Sequence, residues 1–199
     1  MHPLRSLRAA LSYWCDPSGA KTRGLWNRPG SRGNIMLPVN YPLEPLKNRV
    51  KNHQQLAVVG IGDELNPSDH LGMSVALEIE QRKLPDVTVF FAGTVPESIT
   101  GPLRRYHHGH VLFLDAADMG ARPGTIAIIE PEEIHASLLS THVLPLSVVI
   151  DYVEQEIETG VTLLGIQPDL TGPDKDLSDE DRKYLDQNLQ VLSEILRNR

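Results

Sequence analysis

Leu56-Ala57-Val58-Val59-Gly60-Ile61-Gly62-Asp63-Glu64-Leu65-Asn66-Pro67-Ser68-Asp69-His70-Leu71-Gly72 is the stretch on which the fold turns. Leu56 to Ile61 is an unbroken apolar run, the pattern of a strand buried on both faces in a parallel sheet. It breaks at Gly62 into a polar loop carrying Asp63, Glu64 and Asp69. After Gly72 an apolar pattern resumes with Val75, Leu77 and Ile79 and predicts a helix over 71–83. The unit is strand, loop, helix. In an open α/β sheet such a loop lies at the carboxyl end of a strand, where ligands bind.

Working outward, Val87 to Gly93 alternates within an apolar-rich run and predicts a second strand. Pro96 and Glu97 open a helix to about Tyr106, and His110 to Leu114 is a third apolar strand that ends in Asp115. Thr125 to Glu130 follows the turn signal Arg122-Pro123-Gly124 and predicts an added, antiparallel strand. Pro131-Glu132-Glu133 has the make-up of a first helical turn. Pro145 to Glu158 is strongly amphipathic, Val161 to Ile166 is another buried-type strand, and Leu177 to Arg197 is a last helix capped by Ser178. This alternation predicts an α/β fold: a three-layer sandwich with a central, mostly parallel sheet flanked by helices.

At 199 residues the chain suits one substantial domain, and 40% hydrophobic with 23% charged residues is an ordinary globular composition. A formal net charge of -7 argues against nucleic acid or an anionic membrane as the main partner. No apolar run is long enough to span a bilayer. The single Cys15 rules out a disulfide within the chain and fits a reducing compartment, the cytoplasm. Residues 1–36 carry six basic residues and one acid, a local charge of +5 against -12 for the rest. Their Pro, Gly and Ser content without period predicts a poorly ordered tail. A targeting peptide and an upstream start with the true start near Met36 both remain open. Leu37 to Pro45 reads as a linker and Leu46 to Gln55 as a short basic helix. The expected organisation is 1–45 extension and linker, 46–199 a single domain.

Three residues stand out by where they fall. Asp69 lies in the loop after the first strand, Asp115 ends the third, and His142 precedes the amphipathic helix. Carboxyl ends of parallel strands converge along one edge, so two carboxylates and an imidazole there would suit nickel or zinc, with coordination positions left open. The plain alternative has Asp69 capping the next helix, Asp115 satisfying loop amides and His142 on the surface. Gly60-Ile61-Gly62 lacks the third glycine of a dinucleotide fingerprint, since Leu65 stands there, and the acidic loop is wrong for a pyrophosphate. No nucleotide is expected. His107, His108 and His110 read as a solvated turn, and Asp174, Asp176, Asp179, Glu180 and Asp181 as a solvated helix start.

Four segments, taken together in order, carry a resemblance. They are Gly60 to Gly72, Asp115-Ala116-Ala117-Asp118-Met119-Gly120 with Pro123-Gly124, Thr141-His142 with Pro145-Leu146, and Gly165-Ile166-Gln167-Pro168-Asp169. The chain from Leu56 onward resembles the [NiFe]-hydrogenase maturation endopeptidases, most of all the hydrogenase-3 (formate hydrogenlyase) branch. The resemblance implies an enzyme that removes a C-terminal extension from the hydrogenase large-subunit precursor after nickel insertion. It implies nickel presented by that substrate, the metal-contacting residues falling on Asp69, Asp115 and His142, and Asp69 or Asp115 acting as ligand or general base. The large-subunit precursor is the implied partner. The chain departs from the family pattern at Asp63, where Asn is usual, and at Pro67-Ser68, where Gly-Asp is usual. These departures motivate an alternative, a non-catalytic nickel-sensing module that binds the large subunit.

Overall fold

The computed structural model describes residues 43–130, 146–172 and 175–199. Its elements are α1 (Glu44–Val50), β1 (Leu56–Ile61), α2 (Leu71–Gln81), β2 (Val87–Gly93), a 3-10 turn (Pro96–Ile99), α3 (Thr100–Tyr106), β3 (His110–Ala116), β4 (Ile126–Ile129), α4 (Leu146–Glu156), β5 (Gly160–Ile166) and α5 (Asp179–Arg197). The sheet order is β2-β1-β3-β5-β4. β2, β1, β3 and β5 pair in parallel, and β4 closes the sheet antiparallel to β5, as its sequence predicted.

Alternation along the strands sorts the apolar side chains into two cores. Leu56 and Val58 of β1, Leu112 and Leu114 of β3, and Leu164 and Ile166 of β5 pack against α1, α2 and α5. Ala57, Val59, Ile61, Val111, Phe113 and Leu163 pack on the opposite face against the 3-10 turn, α3 and α4. The three layers follow from β1 and β3 being buried at every position, each face needing its own helical cover. No helix among the described residues is long and apolar enough to cross a membrane.

Leu43 is fully buried in the first core together with Leu46 and Val50, so packing of the domain begins before Leu46. The predicted helix over 46–55 runs instead over 44–50, with Pro45 in its first turn, where a missing N–H costs nothing. The predicted helix over 96–106 is two pieces. Pro102 lacks the N–H that would continue a ladder to Ser98, so the 3-10 turn ends and α3 starts anew from Thr100. Ser178 caps α5 as expected, accepting from the Asp181 N–H at 3.1 Å. The tail, the helical turn expected at 131–133 and His142 lie outside the described residues.

The histidine turn is not solvated. His108 and His110 are buried, His108 packing edge-on against Phe90, while His107 alone stays exposed in a left-handed conformation (φ 49°). His110 Nε2 lies 2.9 Å from Thr162 Oγ1, at the amino edge of the sheet. Burial, then the nearby His53 and Arg49, push its pKa down from 6.5 to about 4. The unfolded chain therefore takes up this proton near pH 6.5 and the folded chain only near 4. Stability is full above 6.5 and falls as the pH drops through 4, by about 3 kcal/mol at the limit. Urea unfolding across pH 7 to 4 should show the loss, and an NMR titration should place the His110 midpoint near 4.

Candidate active site

The strand order reverses at β1. The chain leaves β1 through α2 on one face to reach β2, then returns through α3 on the other face to β3, on the far side of β1. The carboxyl ends of β1 and β3 therefore flank a topological switch point, the position at which open α/β sheets bind ligands. Asp69 follows β1 and Asp115 is the last residue but one of β3, so both stand at this edge of the sheet. Register brings Gly60 beside Leu114 and Asp115 beside Gly165.

Asp115 is fully buried, one residue inside the end of β3 and not in the loop after it. It shares strand parity with Val111 and Phe113, whose face carries α4. Its Oδ1 accepts from the Ala116 N–H at 2.8 Å.

Asp69 is half-buried and closes its own loop, its Oδ2 accepting from the Asp63 N–H at 2.9 Å. It does not cap α2, whose N-cap is His70 without a side-chain bond. The loop is two linked turns. Asp63 takes the N–H of Leu65 on its side chain and that of Asn66 on its carbonyl. Asn66 does the same for Ser68 and Asp69. Pro67 sits second in the turn Asn66–Asp69, where a fixed φ is an asset and no donor is required. The departure at Pro67-Ser68 thus fits the turn that delivers Asp69. Gly62, with φ 131°, has Asp69 O only 2.0 Å from where a Cβ would stand, so the loop folds directly over it.

The far wall is the segment after Asp115. Gln167, at the end of β5, is 3% exposed and accepts from the N–H groups of Met119 (2.7 Å) and Ala121 (3.2 Å). Arg122 ties the same segment to α5 through Asp181 (2.9 Å) and Glu180 (3.0 Å), and lies over the Tyr184 ring. Asp169, also at this edge, has its pKa lowered to about 2 by hydrogen bonds from Lys175 and Thr171. A carboxyl so held serves as an anchor, not as a proton shuttle near neutral pH. Sequence reading placed Gln167 in a resemblance segment and Arg122 in a turn signal but gave neither side chain a role, because their partners lie far along the chain.

Among the described residues no three His, Cys, Asp or Glu side chains gather closely enough to hold a metal ion. Of the three donors expected from the sequence, Asp69 and Asp115 lie at the carboxyl ends of β1 and β3, and His142 lies outside the described residues. A surface groove between α1 and α5 is lined by Lys47, Lys51, Val191 and Glu194, none of which belongs to the crevice.

Fold and crevice together define an α/β domain with Asp69 and Asp115 at the carboxyl ends of two strands that flank its switch point. Residues 73–195 match the family model for HycI, hydrogenase maturation protease. A Methanocaldococcus jannaschii protein, provisionally named a hydrogenase maturation protease, is 34% identical over 133 residues, covering 63% of this chain and 79% of the relative. The hydrogenase 3 maturation protease of Escherichia coli K12 is 33% identical over 113 residues, covering 56% and 72%. The crystal structure of a [NiFe] hydrogenase maturation protease HycI from Thermococcus kodakarensis KOD1 superposes with a TM-score of 0.65 at 28% identity, covering 77% of this chain and 99% of that one. The chain belongs to the hydrogenase maturation protease family. It is thereby a hydrolase, and the protease reading stands over the non-catalytic one. The family-model match runs over residues 73–195, so Asp115 falls inside it and Asp69 just before it.

Proposed function

We propose that this chain is the endopeptidase that removes the C-terminal extension of a [NiFe]-hydrogenase large-subunit precursor once nickel has been inserted. The observation that carries the reading is the pair Asp69 and Asp115 at the carboxyl ends of β1 and β3, in a chain of this family.

The nickel belongs to the substrate. An ion already held by the precursor needs only a few further donors, and two carboxylates with His142 supply oxygen and imidazole nitrogen, a set that nickel accepts. Asp115, buried, is suited to a fixed contact with the ion. Asp69, half-buried, can exchange a proton with water. In the cleavage, water adds to the scissile carbonyl carbon, the C–N bond breaks, and the proton taken from water passes to the departing amine. The surface around the crevice suits a protein substrate. Leu65, Phe91, Val95 and Leu170 are large exposed apolar side chains at or just beyond the ends of β1, β2 and β5. The workplace is the cytoplasm, in keeping with a single cysteine.

The deciding experiment incubates the protein with nickel-loaded and nickel-free precursor. The loaded form should be cut and the nickel-free form left whole, and Asp69→Ala should slow cutting at least about 100-fold. Equal cutting of both forms, or a fully active Asp69→Ala, overturns the mechanism. Tight binding of loaded precursor with no cutting by the unaltered protein restores the sensing-module reading.

A further inference from the structure

Gln167 makes more hydrogen bonds than the packing of a strand end needs. Its backbone N–H donates to Thr125 O at 2.9 Å and its carbonyl accepts from the Gly124 N–H at 2.8 Å. Its side-chain Oε1 accepts from Met119 and Ala121, and its Nε2 reaches Asp118 Oδ1 at 3.4 Å and Pro168 O at 3.3 Å. These side-chain partners in the turn lie 46 to 49 residues away in sequence. The job requires one atom that accepts two N–H groups and another that donates toward a carboxylate. A buried carboxamide supplies both.

The turn in question starts three residues after Asp115. Its far end is fixed by Arg122 on α5. Its middle lies against β5: a Cβ on Gly165 would stand 3.0 Å from Met119 Sδ and 3.0 Å from Ala117 Cβ. Between these points residues 118–121 have no strand or helix of their own. The Gln167 carboxamide sets their backbone, and with it the presentation of the exposed Asp118 and the half-exposed Met119 beside the crevice.

We propose that Gln167 is a positioning residue of this peptidase: it holds the 118–121 turn as the wall beside Asp115 against which the precursor is seated. The proposal rests on the peptidase reading. The charged group facing the carboxamide is Asp118. Asp169, two residues on, is engaged by Lys175.

Two variants test it. Gln167→Met keeps length and apolar stem but neither donates nor accepts through nitrogen or oxygen. Gln167→Glu keeps the acceptor, loses the donor and sets a second carboxylate against Asp118. Both should keep near-UV circular dichroism and urea m-value, and both should raise KM for loaded precursor by about 10–100-fold, with kcat changed less. Relative to the unaltered enzyme, Gln167→Glu should regain activity from pH 8 to 5.5, since a protonated carboxyl carries one donor and one acceptor as the amide does. Gln167→Met should not regain it. Independently of cutting, amide hydrogen exchange at Met119 and Ala121 should speed up in Gln167→Met. Unchanged KM in both variants, or unchanged exchange at those two amides, overturns the proposal. Failure of the unaltered protein to cut would instead strike the peptidase reading, and the exchange measurement would still decide whether Gln167 holds the turn.

Discussion

Asp115→Asn is expected to fold normally and to leave the nickel-loaded precursor uncut, processing falling by at least about 100-fold. The two halves of this expectation have separate causes. Asp115 is fully buried and sits in β3, paired with Gly165 of β5, so its backbone is held by the ladder whatever the side chain. Asparagine has the same shape and keeps an oxygen to accept the Ala116 N–H now bound at 2.8 Å. The structural cost should therefore stay small, about 1 kcal/mol for each hydrogen bond weakened. What asparagine cannot supply is the anionic oxygen. Loss of the outer partners of a metal ligand alone costs about 10–100-fold, so in the proposed role of Asp115 loss of its charge sets that as a floor. Urea unfolding and a gel assay of loaded precursor measure the two halves on one preparation. An Asn variant that processes at the unaltered rate would show that the buried charge is not used.

The fold was legible where one-dimensional pattern and three-dimensional burial coincide. β1, β3 and β5 are apolar at nearly every position because helices cover both their faces, and an unbroken apolar run is the trace of that cover. Those runs end at Ile61 and Leu114, which puts Asp69 and Asp115 on the side of the sheet where strands leave it. Burial created by distant partners was not legible. His108 and His110 follow a helix in a polar-looking turn, yet Phe90 of β2 and Thr162 of β5 close over them. Pro67 looked like a break in the family pattern, but its meaning depends on Asn66 already turning the chain toward Asp69. Gln167 stood inside a recognised segment, Gly165 to Asp169, but its role exists only once β5 lies beside the segment that follows β3.

The second large effect concerns Gly72. Gly72→Ala is expected to destabilise the domain by about 3–4 kcal/mol and to abolish processing with it. By helix propensity alone the change should help, since alanine gains about 1 kcal/mol over glycine inside a helix. Packing reverses the sign. A Cβ at position 72 would lie 2.3 Å from Ile61 O and 2.3 Å from Leu114 O. Neither atom can step aside, because both belong to the backbone at the carboxyl ends of β1 and β3. Gly60 faces the same contact from below, with 2.6 Å from a Cβ there to Ala76 Cβ, so α2 cannot shift toward its own C-terminal turns. The helix must lift from the sheet, uncovering Leu71, Val75 and Ile79 and carrying the Asp69 loop away from Asp115. Gly101→Ala separates packing from propensity. Gly101 also lies in a helix, α3, but a Cβ there meets nothing within 4 Å. That variant should be neutral or more stable by up to about 1 kcal/mol and should process precursor normally. Urea midpoints of the two variants, read against the unaltered protein, should move in opposite directions or only for position 72. Equal stability at position 72 would mean that α2 has room to move, and that the tight junction of β1, β3 and α2 does not hold the two carboxylates in place.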